Sequence, residues 1–170
     1  MRISTTFLFF TVLAAGGVRA AEAPRAPDNR PALLQALDGN WVMTGDVMGK
    51  PVQYNMAATP TLNGTFTEMH MKDVQLPARY EARVFIGYDQ KSQSVIAHWM
   101  DIFGARGSVP HATGSIKDNT IEFTFPYPSA PFHDTLSYHA DTASWTLVIE
   151  AAKPDGTWQH FARYDIRHAQ

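Results

Sequence analysis

Histidine is the residue type most able to do chemistry here, and its spacing argues against a metal centre. His70, His98, His111, His133, His139, His160 and His168 are scattered, with no His-x-His or His-x-x-x-His pair. Two imidazoles reach one ion from a single element only at such short spacings. His133 and His139 share a strand face but stand six positions apart, too far for one ion. Methionine is more suggestive, because all seven except Met1 fall between Met43 and Met100, including Met69-His70-Met71 and His98-x-Met100. Thioethers with imidazole suit Cu(I). In a strand, however, Met69 and Met71 face away from His70, so the three cannot share an ion.

Hydrolytic chemistry fares no better. Ser137 and His139 share a face with Asp134 nearby, but residues within one strand cannot converge as a triad does. No strand-turn-helix nucleophile elbow accompanies them. Glu68 with His70, or Asp101 with an inward neighbour, has the right types for acid-base work, and polar side chains that simply face water account for both. Glycine-rich phosphate loops are absent. No catalytic residue and no metal ligand is assigned.

The elements that hold these residues begin with an address. Met1–Ala20 has a basic start at Arg2, an apolar run from Ile3 to Ala15 and small residues before Ala20. That pattern is expected of a cleaved secretory signal peptide, its apolar run falling short of the ~20 residues a spanning helix needs. No membrane span is expected to remain after cleavage. Removing Arg2 and Arg19 leaves 12 basic residues against 16 acidic ones, a net charge of −4. Such a balance carries no footprint for nucleic acid or an anionic membrane surface. The chain has no cysteine, so an exported fold must hold by burial alone. The bacterial periplasm, or secretion, is the expected destination.

Residues 21–31 are rich in Ala, Pro and charge and read as a mobile leader. Pro31 then opens a short helix in which Leu33, Leu34 and Leu37 share a face and Gly39 supplies the stop. This helix is expected to plug one end of the strand-rich domain. From Asn40 onward the chain alternates with period two between turn residues. Arg79–Tyr88 turns Tyr80, Ala82, Val84, Ile86 and Tyr88 one way and Arg79, Glu81 and Arg83 the other. Thr120–Phe125 aligns Ile121, Phe123 and Phe125, and the last strand aligns Trp158, His160, Ala162, Tyr164 and Ile166.

About ten such strands with short connections predict an all-β antiparallel meander over residues 32–170, closed as an up-and-down barrel to remove its edges. A sandwich is the alternative closure. Arg79, Glu81, Arg83, Lys72 and Glu122 would face outward, a wall that lipid would not tolerate. A barrel this wide is not filled by side chains alone. Its expected cavity lining is Trp41, Met43, Tyr54, Met56, Tyr80, Tyr88, Trp99, Phe123, Tyr138, Trp145, Trp158, His160 and Tyr164. Aromatic and thioether walls suit a small apolar or aromatic ligand. Ser94–Phe103 is apolar on both faces, and the reading favours Trp99 inward with Asp101 near the rim.

Three stretches carry a resemblance: LDGNWVMTGDVMGKPVQYNM, ARVFIGYDQKSQSVIAHWMDIFG and DGTWQHFARYDIR. With Gly39-x-Trp41, Met48-Gly49, Gly87-Tyr88-Asp89 and His98-Trp99-x-Asp101 they resemble a family of bacterial exported proteins of unknown function in the lipocalin-like, or calycin, group (domain of unknown function 1579). The resemblance implies a barrel and no reaction. A more distant one is to the heme-binding barrels called nitrobindins, which open on Gly-x-Trp-x-Gly-x-Gly. Gly39, Trp41 and Gly45 match, whereas Met43 does not. That likeness implies heme held through His160, against the plainer reading of a buried or rim histidine satisfied by a backbone carbonyl or a tyrosine. A non-catalytic structural or interaction role is the third expectation.

Overall fold

The computed structural model describes residues 28–170. The expected signal peptide and the first part of the leader, residues 21–27, lie outside the described residues. A helix of a single turn, α1 (Ala32–Gln35), precedes ten strands. They are β1 (Gly39–Val47), β2 (Lys50–Thr61), β3 (Phe66–Asp73), β4 (Glu81–Asp89), β5 (Ser94–Asp101), β6 (Ala112–Lys117), β7 (Thr120–Phe125), β8 (Phe132–His139), β9 (Ser144–Ala152) and β10 (Trp158–His168). Each pairs antiparallel with its neighbours in sequence, and β10 returns to β1, with Trp41 opposite His168 and Val47 opposite Ala162. The sheet is a closed ten-stranded barrel. Closure leaves no unpaired edge, which accounts for the long runs of alternating residues.

Two inward glycines let the barrel turn tightly. A Cβ on Gly45 would lie 1.8 Å from the Arg163 carbonyl oxygen, and one on Gly114 would lie 1.8 Å from that of Glu122. Only glycine permits so close a backbone approach. Outside, β3 and β4 present charge to charge: Glu68 pairs with Arg83, and Lys72 with Glu81 at 3.1 Å. Among the described residues no helix is long and apolar enough to cross a membrane.

Because the strands run up and down, all even-numbered connections meet at one end and all odd-numbered ones at the other. The first of these ends is closed. Leu34 and Leu37 are fully buried there. The indole N–H of Trp41 donates to the Leu37 carbonyl at 2.7 Å, and that of Trp145 donates to the Ala36 carbonyl at 3.4 Å. The plug is therefore fastened by apolar packing and by hydrogen bonds to carbonyls that so short a helix leaves free.

One departure from the sequence reading lies here. Residues 28–31, read as part of a mobile leader, are anchored. Arg30 is 4 % exposed, and its guanidinium donates to Asp28 and Asp38, each at 2.6 Å, and to the Thr67 hydroxyl. Polar composition marks a segment as loose only when its charges stay in water. Here an arginine reaches β3 and finds every partner it needs.

Candidate functional site

The opposite end is where space remains. A cavity of about 500 Å³ opens between the odd-numbered connections. Alternation along the strands aims side chains into it. Val47 comes from β1, Tyr54 from β2, Trp99 from β5, Asp134 from β8 and Ile149 from β9, with Tyr164 on β10. Tyr80 enters from just before β4, and Met48 and Phe103 stand at the mouth, 71 % and 75 % exposed.

Its wall is a chain of aromatic neighbours. Ring centroids of Tyr164 and Tyr54 are 5.7 Å apart, and those of Tyr54 and Tyr80 are 5.4 Å apart. On the far side Trp99 meets Phe125 edge-on at 6.4 Å, Phe125 stacks on Tyr127 at 5.8 Å, and Phe132 meets Phe161 edge-on at 4.9 Å. Between these arcs the Trp99 indole N–H donates to the Tyr80 hydroxyl at 3.0 Å. Tyr80 donates in turn to the Asp101 carboxylate at 3.3 Å, which also accepts the Phe103 N–H at 2.9 Å. Asp101 is thus held at the rim by two donors. Burial raises the Tyr54, Tyr80, Tyr127 and Tyr164 hydroxyls above the usual tyrosine range, so all four are neutral donors at physiological pH.

Asp134 is different. It is 2 % exposed, opposite Phe123 on β7 and Ile149 on β9. Burial alone pushes its carboxyl up to about 8, with no hydrogen bond or ion pair among the described residues to oppose it. Every side-chain nitrogen or oxygen shut away from solvent among the described residues has a partner. The Asp134 oxygens have none, so they must touch the open space of the cavity. Polar groups buried without a partner are rare and costly.

Of the residues read from the sequence as cavity lining, Tyr54, Tyr80, Trp99 and Tyr164 surround this space. Trp41, Met43, Met56, Phe123 and Trp145 instead pack solidly in the core below it. Tyr88 and Tyr138 are half-buried at the plugged end, where the Tyr138 ring lies 4.9 Å from Trp145. Met69 and Met71 are buried in the barrel, while His70 faces out and meets Glu81 at 2.7 Å. His139 reaches Thr146 at 2.8 Å on the outer face, on the other side of the sheet from Asp134.

Trp158 and His160 require correction. Both lie on the outside of β10, and His160 meets the Asp46 carboxylate at 2.7 Å. The cause is a β-bulge. Opposite β9, the register slips between His160 and Ala162, so Phe161 is an extra residue and takes the inward position. One inserted residue inverts the alternation for everything before it. The imidazole does not face the cavity, and His160 therefore does not fit the role of an axial heme ligand inside the barrel.

Sequence reasoning missed Asp134, Phe132 and Phe161. The first two were within reach, since they have the same parity on β8 as Tyr138, which reads as cavity lining. Phe161 was not, because nothing local signals the bulge. Nor was Tyr127, which a loop with three prolines folds back over the mouth.

Fold and family agree. Residues 26–168 match the family described as a protein of unknown function, DUF1579. The match spans most of the chain, and the chain belongs to this family. Among curated proteins, nothing matches.

Proposed function

We propose that this protein is an exported binding or carrier protein that takes up a small apolar or aromatic molecule. The observation that carries the reading is the cavity of about 500 Å³, aromatic on most sides and open at one end of a barrel whose other end is plugged. Pockets of this size and character typically enclose most of a small ligand's surface. Export rests on the pattern of Met1–Ala20 and belongs to the same proposal. The aromatic wall supplies stacking area, and Tyr80, Tyr54 and Tyr164 supply hydroxyls that orient a guest.

Titration with the neutral fluorophore N-phenyl-1-naphthylamine tests this directly. Saturable enhancement is expected, weakened at least about tenfold when Val47→Trp fills the mouth. Mass spectrometry of organic extracts of the freshly purified protein is the companion measurement. Absence of both an extracted molecule and saturable probe binding would overturn the reading.

A further inference from the structure

We propose that the ligand of this cavity is a cation: an organic amine, protonated at neutral pH, whose aromatic or aliphatic body lies against the aromatic wall while its ammonium group meets Asp134. The proposal rests on the binding function above and gives its ligand a chemical class.

Three features of the site converge on that charge. The first is Asp134, a buried carboxyl facing free space without a donor. A group so placed is expensive unless something completes it, and the open cavity in front of it is where a ligand's donor can do so. The second is the sign of everything else. Among the residues lining the cavity there is no Lys, Arg or His, while a second carboxylate, Asp101, stands at the mouth. A fatty acid or other apolar anion would meet no counter-charge there, and the Asp101 carboxylate at the mouth would repel it. The third is the wall. Trp99, Tyr127, Phe132 and Phe161 present rings whose π faces carry partial negative charge, and such faces around a carboxylate attract ammonium ions.

Binding is coupled to a proton. Facing Asp134 across the cavity are Tyr54 on β2, Tyr80 before β4, Asp101 on β5, Tyr127 in the β7–β8 loop and Tyr164 on β10. The flanking residues on β7 and β9 are Phe123 and Ile149, which do not titrate. With burial pushing the carboxyl up to about 8, the free protein holds this proton at pH 7. An ammonium group beside Asp134 favours the ionised form, so binding releases the proton to the buffer. Affinity therefore rises with pH up to about 8, where the free protein has itself given up the proton, and levels off above that while the amine stays protonated.

Calorimetry with three probes of one shape tests the charge: 2-(2-naphthyl)ethylamine, 2-(2-naphthyl)ethanol and 2-naphthylacetate. The amine is expected to bind at least about tenfold more tightly than the alcohol, and the acetate most weakly. At pH 7 the amine's binding enthalpy should differ between phosphate and Tris by the heat of the released proton. In Asp134→Asn the preference for the amine should vanish, with an unchanged far-ultraviolet circular dichroism spectrum and a cooperative melt as the sign of a folded barrel. The wild-type probe series stands even if that variant folds poorly. Equal affinity for amine and alcohol, or tighter binding of the acetate, overturns the charge assignment while leaving an apolar binding site in place. Failure of every probe, N-phenyl-1-naphthylamine included, overturns both.

Discussion

The two ends of this barrel each bury a side chain that would be charged in water, Arg30 at one and Asp134 at the other, and they treat it in opposite ways. At the plugged end Arg30 is surrounded by two carboxylates and a hydroxyl, which hold it charged by raising its guanidinium above the ordinary arginine range. At the open end Asp134 lies between the apolar strand neighbours Phe123 and Ile149 and faces the cavity. A buried charge with its partners built in fastens structure. A buried acid without them opposes stability, and the fold tolerates that cost where a guest can complete the site. The packing follows the same division: Leu34, Leu37, Trp41 and Trp145 are almost wholly buried, whereas Tyr80, Trp99, Phe132 and Phe161 are only partly covered.

Substitutions on the two sides should therefore separate. Leu37→Ala at the plug is expected to cost about 3 kcal/mol in urea unfolding, whereas Phe132→Ala, already bordered by a cavity, should cost about 1 kcal/mol. Equal losses would erase the distinction between a packed end and an open one. Arg30→Ala should cost about 2 kcal/mol, because it leaves Thr67 buried without its partner and two part-exposed carboxylates without their cation. A loss near zero would mean that the anchored segment contributes nothing.

Asp134→Asn should act the other way, and its effect depends on pH. The folded-state pKa lies above the unfolded value, so between roughly pH 4 and 8 the unfolded chain gives up this proton while the native one keeps it. Wild-type stability accordingly falls as pH rises through that window. The variant should be more stable than wild type by about 1 kcal/mol or more at pH 8 and nearly equal to it at pH 4. Melting curves at the two pH values measure this, and a pH-independent difference would count against an isolated acid. Smallest of all is His160→Ala on the outer face. It should move neither the urea midpoint nor the affinity for N-phenyl-1-naphthylamine, and a weakened affinity would return His160 to the site.

Much of the barrel is legible before any folding is considered. β7 runs over Thr120–Phe125 both as read and as folded, and Ala82, Val84 and Ile86 turn into the barrel while Glu81 and Arg83 turn out, as their types require. Trp99 lines the cavity and Asp101 stands at its rim, although apolar residues on both faces of Ser94–Phe103 left only a preference between them. The site is less legible. A carboxylate such as Asp134 reads as solvent-facing by default, and the parity it shares with Tyr138 was the only sign to the contrary. Arg30 sits in a stretch whose composition signals looseness, and its partner Thr67 is far away in sequence.

What the sequence determined by itself is the class of the fold: period-two alternation, short turns and the need to hide one face and two edges lead to a closed antiparallel barrel. These are local signals, repeated in strand after strand, so no single irregularity could undo them. Tertiary structure alone decided which end is plugged, that Phe161 takes the inward place expected of His160, and that Asp134 faces the cavity without a side-chain partner. Those outcomes depend on register and depth along the barrel axis. Both are set by backbone pairing between strands distant in sequence, and one bulged residue is enough to change which side chain the cavity receives.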